Sequence, residues 1–255
     1  MNIAVITGAS SGMGKEFVKQ IDKYFNVDAI VVIARRIELL NELQKYTKAE
    51  ILPLKLDLSK KESFNVYEQF LKDNKYNIKL LINGAGFGKF EEFIKGSKEI
   101  NYDMVNLNCN AVQMISYISI PYMEKGSIII NLASMSSIQP VPYINIYAST
   151  KAFVLSFSRA LNVELRKKEI HVCALTPYWV KTEFFDVANK DNVIKYFNYV
   201  YEPEYIVKYC FKMITKKKIK DVICPGKYAR MQYRLVKIMP HKIVMNIWLK
   251  QQRIR

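Results

Sequence analysis

The sequence predicts an α/β fold: a doubly wound, mostly parallel sheet within a three-layer sandwich. Three observations carry this. Short apolar runs alternate with amphipathic stretches along the 255-residue chain. Six of the nine glycines fall in two turns, each straight after an apolar run. Hydrophobic residues make up 50% and charged residues 24%, enough apolar material for one large core and too little charge for disorder.

In chain order, strands are expected over residues 3–7, 29–34, 51–56, 80–83, 127–132, 171–176 and 221–224. These runs are short and rich in Ile and Val, as strands covered on both faces are. The stretches between them predict helices over 12–25, 37–47, 60–74, 98–123, 146–168 and 204–216. No repeat, low-complexity segment or linker interrupts the pattern, so a single domain is expected. Residues 1–226 form its body and residues 227–255 a basic amphipathic extension.

Composition excludes several functions. No apolar run reaches the roughly 18 residues of a spanning helix, so no integral membrane insertion is expected. A strand-like run beginning at Asn2 leaves no room for a signal peptide, so none is expected. Cys109, Cys173, Cys210 and Cys224 are scattered, with neither metal-ligand spacing nor a disulfide framework. A reducing cytoplasm is the expected compartment. With only His171 and His241, an HExxH site is absent, a histidine triad is unexpected and no metal is foreseen. The net charge of +16 is uneven: residues 212–255 carry 13 Lys and Arg against Asp221 alone, a local +12. Residues 1–211 carry only +4. A nucleic-acid-binding surface more often spreads its charge across the fold, so no nucleic-acid partner is expected.

The first glycine turn reads Thr7-Gly8-Ala9-Ser10-Ser11-Gly12-Met13-Gly14. It follows one predicted strand and opens one predicted helix, whose free N–H groups and partial positive charge suit a pyrophosphate. The second strand ends at Ala34-Arg35-Arg36. An acid at this point meets an unphosphorylated ribose, whereas arginine suits a 2′-phosphate through its planar fork. Arg35, helped by a hydroxyl from Ser10 or Ser11, therefore points to NADP(H). The plainer reading makes Arg35 and Arg36 the start of a solvated helix face.

Further along stand Asn83-Gly84-Ala85-Gly86, Asn108, Ser134 and Tyr147-Ala148-Ser149-Thr150-Lys151. With the glycine turn, and in this order, they resemble the short-chain dehydrogenase/reductase family, with its T-G-x-x-x-G-x-G turn and Y-x-x-x-K motif. The resemblance covers residues 1 to about 185. It implies a Rossmann-like fold, hydride transfer between NAD(P) and a small-molecule carbonyl or secondary alcohol, and homodimers or homotetramers. It implies cofactor contacts from Gly8, Ser10, Ser11, Gly12, Met13, Gly14, Asn83, Ala85 and Gly86, with Asp57 and Leu58 on the adenine side. Tyr147 becomes the general acid at the carbonyl oxygen, and Lys151 also holds the nicotinamide ribose. Ser134 holds the substrate oxygen. Asn108 kinks its helix and positions a water in a proton relay, with Asn106 and Asn110 as competitors.

The chemistry of these residues fits. Tyr147 and Lys151 are four apart, so they share a helix face about 6 Å apart along the axis. A nearby ammonium lowers a phenol's pKa from about 10, and reaching about 7 takes roughly 4 kcal/mol. The plain alternatives are a surface pair for Tyr147 and Lys151, a strand-end cap for Ser134 and a helix N-terminal acid for Asp57.

Pro177-Tyr178-Trp179-Val180-Lys181-Thr182 resembles the family's P-G-x-x-x-T segment, which implies Pro177, Val180 and Thr182 at the nicotinamide. There are two departures: Tyr178 stands for the usual Gly, and Gly84 for the second Asn of N-N-A-G. Residues 182–201, the expected lid, bring Phe184, Phe185, Tyr196, Phe197, Tyr199 and Tyr201. Aromatic lining suits a bulky apolar substrate, lipid- or sterol-like, unless the rings only pack the lid onto the core. From Arg230 the pattern is helical, with Met231, Leu235, Ile238 and Met239 on one face and Arg230, Arg234 and Lys237 on another. Past Pro240, Ile243, Val244, Ile247 and Trp248 form a second stripe. Such a tail, residues 230–255, lies on an anionic membrane, closes a pocket, packs on the chain's own core or on a subunit, or stays solvated; the sequence leaves these open. The rival to a working reductase is a catalytically silent NADP-binding sensor or scaffold on the same fold.

Overall fold

Uninterrupted apolar runs need cover on both faces, and they receive it. The computed structural model describes residues 1–254. Strands β1 (Asn2–Thr7), β2 (Ala29–Ala34), β3 (Glu50–Lys55), β4 (Asn77–Asn83), β5 (Ile128–Leu132), β6 (His171–Leu175) and β7 (Val222–Ile223) form one sheet in the order 3-2-1-4-5-6-7. Every pairing is parallel. One face is covered by α1 (Gly12–Gln20), α2 (Ile37–Asn41) and α8 (Pro203–Ile214), through Phe17, Leu40 and Phe211. The other is covered by α3 (Glu62–Asn74), α5 (Ala111–Ser119) and α6 (Asn145–Glu164), with Tyr67, Ile115 and Leu161 packed there. This is the doubly wound, single-domain sandwich that the alternation predicts, and it is Rossmann-like as the resemblance implies.

Element boundaries differ in three informative places. Strand β4 starts at Asn77 because its backbone pairs with Met1 and Asn2, extending the ladder beyond the apolar run. The expected helix 98–123 divides into α4 (Lys98–Val105) and α5, joined by a π-turn over Asn106–Asn110. Such bulges often occur at functional sites. Helix α7 (Phe184–Ala188) lies inside the expected lid and is too short to leave a periodic signal.

The tail forms α9 (Lys227–Val236) and α10 (His241–Gln252), broken at Pro240. Both pack on the body. Ala229 is buried beside Met135 and Cys224. Trp248 joins Phe90, Tyr147 and Trp179. No helix among the described residues is long and apolar enough to cross a membrane.

Phe211 ties the first face together. It is fully buried, with the rings of Phe17, Tyr24 and Phe25 at 5.2, 5.0 and 5.7 Å. Phe211→Ala is expected to cost about 3–5 kcal/mol through lost transfer energy and a residual cavity. Urea unfolding should show a lower midpoint at an unchanged slope.

Candidate active site

The strand order reverses between β1 and β4, so the ends of these strands part and leave a crevice. A cleft of about 570 Å³ lies there. Its first wall is the glycine turn. Gly8 and Gly12 have φ of 69° and 50°, and a Cβ on Gly8 would sit 2.8 Å from the backbone of Ala85. Only glycine permits this contact between the two turns. Helix α1 opens at Gly12 with no acidic residue in its first turn, so its N–H groups and positive end are uncompensated. Ser10, Ser11, Met13, Gly14, Ala85 and Gly86 line the same end.

Arg35, Arg36, Asp57 and Leu58 line the cleft beyond the turn. Arg36 Nη2 donates to Ser10 Oγ at 3.3 Å and to Glu183 Oε2 at 3.0 Å. Arg35 acts on Asp57 instead. Burial pulls the Asp57 carboxyl up, but hydrogen bonds from Ser59 and the charge of Arg35 outweigh it and hold the group below its ordinary value. The guanidinium that reaches the glycine turn thus belongs to Arg36, the neighbour of the residue singled out by sequence. Both guanidinium groups border the cleft, and nothing local says which one reaches the glycine turn. Glu183, which meets Arg36 here, has no signal in the sequence beyond its place beside Thr182.

At the other end, α6 presents Tyr147 and Lys151. Lys151 is buried, and its Nζ donates to Leu132 O at 2.7 Å. Burial pulls its ammonium down to about 8. The Tyr147 phenol moves the opposite way from expectation. Burial pushes it up to about 12, while the Ser134 hydroxyl pulls it down. The Lys151 ammonium lies 5.7 Å from the Tyr147 ring centroid and is engaged by a main-chain carbonyl, so burial prevails. Ser134 lines the cleft and also caps a turn: its Oγ accepts from Ser136 N at 3.2 Å.

Asn108 is wholly buried behind the cleft wall. Its Oδ1 accepts from Phe87 N at 3.0 Å; its Nδ2 donates to Phe87 O at 2.9 Å and Thr150 Oγ1 at 3.0 Å. Asn110 Nδ2 instead donates to Asn106 Oδ1 on the exposed side. Of the three asparagines, Asn108 is therefore the one that locks the π-turn to α6. Asn83, expected at the cofactor, has its side chain beneath the wall rather than on it, donating to Ser116 Oγ and Asn131 Oδ1.

Pro177, Val180 and Thr182 line the cleft, and a Cβ on Gly12 would meet Thr182 Cγ2 at 3.3 Å. Tyr178 is not among the described non-glycine residues with positive φ, so this tyrosine causes no left-handed strain. Its ring packs edge-on against Tyr228 at 5.7 Å. Gly84 is required by this backbone, because a Cβ there would lie 2.7 Å from Thr7 O. The substrate end is aromatic: Tyr147 meets Phe184 at 5.3 Å, and Trp179 stacks on Trp248 at 6.4 Å. A turn of free N–H groups, two guanidinium groups and serine hydroxyls at one end, with a buried lysine at the other, together fit a nicotinamide dinucleotide.

The sequence model of the family described as short chain dehydrogenase matches residues 2–193. The chain belongs to this family. Among curated short-chain dehydrogenase relatives, 17-beta-hydroxysteroid dehydrogenase type 3 of Rattus norvegicus is 31% identical over 202 residues, 75% of this chain and 64% of that protein. Very-long-chain 3-oxoacyl-CoA reductase-B of Danio rerio is 32% identical over 190 residues, 71% of this chain and 60% of that protein. The chain thus spans less than two thirds of the length of these relatives. A solved short-chain dehydrogenase from Sphingobium yanoikuyae in complex with NADPH superposes with a TM-score of 0.78 over 92% of both chains at 24% identity. A 3-ketoacyl-(acyl-carrier-protein) reductase from Brucella melitensis complexed with NADH gives 0.74 at 24% identity, over 89% of this chain and 98% of that one. At this identity the likeness is one of fold.

Gly84→Asn restores the residue usual in the family yet is expected to destabilise the protein by about 1–3 kcal/mol, because the new side chain collides with Thr7 O. A urea midpoint at or above that of the parent would refute the steric argument.

Proposed function

We propose that this chain is an NADP(H)-dependent oxidoreductase that interconverts a bulky apolar carbonyl compound and its secondary alcohol. The observation that carries this is a single cleft holding Arg36 and the glycine turn at one end, Tyr147, Lys151 and Ser134 within, and an aromatic wall beyond. Residues 1–226 are the catalytic unit, with residues 182–201 as its lid and 227–255 as the extension beside it. The names of the rat and zebrafish relatives, a hydroxysteroid dehydrogenase and a very-long-chain 3-oxoacyl-CoA reductase, support a lipid- or sterol-like substrate. Exposed Ile100, Tyr102, Val105, Tyr117 and Phe153 on α4, α5 and α6 support association into a homodimer or homotetramer.

Arg36, Arg35 and Ser10 would take the 2′-phosphate, whose tetrahedral oxygens accept from the planar guanidinium fork. The glycine turn and the α1 terminus take the pyrophosphate. Lys151, Pro177, Val180 and Thr182 hold the nicotinamide end. When bound, NADP(H) supplies or accepts the hydride equivalent. Ser134 Oγ–H donates to the substrate oxygen and fixes its position. Tyr147 Oη–H gives its proton to that oxygen in reduction and recovers it in oxidation. A phenol at about 12 retains its proton at neutral pH, which suits the acid role. Lys151, at about 8, is mostly ammonium there and stabilises the phenolate that forms. Asn108 keeps the π-turn, and with it the wall at Phe87, in register with α6.

Reduction of apolar ketones with NADPH, with NADH as control, tests the reading. Tyr147→Phe is expected to lower kcat by roughly a hundredfold or more at unchanged NADPH affinity; retained turnover would remove Tyr147 from its role. Arg36→Ala is expected to raise KM for NADPH at least about tenfold and leave that for NADH in place. Equal or better use of NADH by the parent protein would overturn the NADP preference. Lys151 loses its charge as pH rises through about 8, so reduction should slow across that range, and the residual rate of Lys151→Met should lack this limb.

A further inference from the structure

We propose that the outer face of the C-terminal helix pair docks on an anionic lipid bilayer, around the mouth of the cleft. Met231, Leu235, Ile238, Ile243 and Ile247 are all exposed, Ile238 at 81%. They flank the elbow at Pro240. Arg234, Lys237 and Lys242 stand among them, also exposed. Residues 227–255 hold eight Lys and Arg and no Asp or Glu.

This combination selects the partner. Nucleic acid would answer the cations and leave the aliphatic side chains in water. A second copy meeting the same patch through a twofold axis would set like charges against like, with no acid to pair them. A bilayer with anionic headgroups satisfies both sets: aliphatic side chains enter the headgroup–acyl boundary while Lys and Arg stay at the phosphates.

The inner faces of the helices are already committed. Trp248 Nε1 donates to Pro142 O at 3.1 Å. Gln252 is buried, accepts from Lys195 N and Tyr196 N at 3.0 Å and donates to Tyr196 O at 3.0 Å. Leu235 and Ile247 are both exposed and part of the cleft lining, so the cleft opens between α9 and α10 onto the same apolar surface. A substrate dissolved in the bilayer then enters without crossing bulk water. That delivery step rests on the apolar-substrate reading; docking does not.

The full chain is tested by co-sedimentation with vesicles of phosphatidylcholine alone and of three parts phosphatidylcholine to one part phosphatidylserine. Binding to the second kind, weakened by added salt, is expected. The double variants Ile238→Glu with Ile243→Glu, and Arg234→Glu with Lys242→Glu, should each bind at least about tenfold more weakly. Their circular dichroism, melting temperature and NADPH binding should match the parent's. Docking is overturned by absence of binding, by equal binding of parent and variants, or by the isoleucine variant converting a dimer to a monomer, since the face then belongs to a second copy. Delivery is read separately. Turnover of a vesicle-borne ketone should fall at least about tenfold in both variants while a water-soluble ketone is reduced at the parent rate; equal turnover of the vesicle-borne ketone overturns it. Vesicle binding by a protein that reduces no carbonyl would leave docking standing and dismiss the proposed function.

Discussion

A pair of buried amides between β4 and β5 carries the geometry of the cleft. Asn83 Nδ2 donates to Asn131 Oδ1 at 2.8 Å and to Ser116 Oγ at 3.0 Å. Asn131 Nδ2 donates to Ser158 Oγ at 2.9 Å. Ser116 sits on α5 and Ser158 on α6, and each hydroxyl gives its own proton to its helix, at Val112 O and Val154 O. Leaving a buried polar group unpaired costs about 1–3 kcal/mol, so two helices are pinned in register with two strands. Helix α6 thereby carries Tyr147 and Lys151 to the end of β5, where Leu132 O receives the lysine. Helix α5 fixes the π-turn that aims Asn108 at Phe87 and Thr150.

Two energetic regimes meet in the cleft. Lys151 is held in a buried wall, where its ammonium costs desolvation, and the lowered pKa expresses that cost. Arg36 and Glu183 form an exposed pair across the other end, and exposed pairs contribute about 0–1 kcal/mol. A pair so weak yields readily to a phosphate. The aromatic segment 182–201 is different again. Phe185 and Phe197 pack on Trp179, which in turn stacks on Trp248 of α10. Residues 182–201 and the tail are thus joined by apolar contact.

The parts of the site legible in the sequence are those set by neighbours a few residues away. The glycine turn, the Tyr147 and Lys151 spacing and the break at Pro240 are of this kind. Choices between near neighbours were not legible. Asn106, Asn108 and Asn110 look alike in sequence. Asn108 is distinguished by Phe87 and Thr150, 21 and 42 residues away. Arg36 is distinguished from Arg35 by Ser10 and Glu183, 26 and 147 residues away. The upward shift of the Tyr147 phenol follows from burial, which no spacing of four residues encodes.

By itself, then, the sequence determined the parallel sheet, the family and the kinds of chemical group at the site. These follow from local periodicity, backbone freedom at glycine and short motifs. The tertiary structure decided which arginine reaches Ser10 and Glu183, which asparagine is buried against Phe87 and Thr150, that Asn83 braces the sheet beneath the cleft, and that the tail seats on residues 182–201 with its apolar and basic face left outward. Those outcomes depend on contacts such as that of Trp248 with Pro142, 106 residues apart, and contacts at that range arise only when the chain has closed on itself.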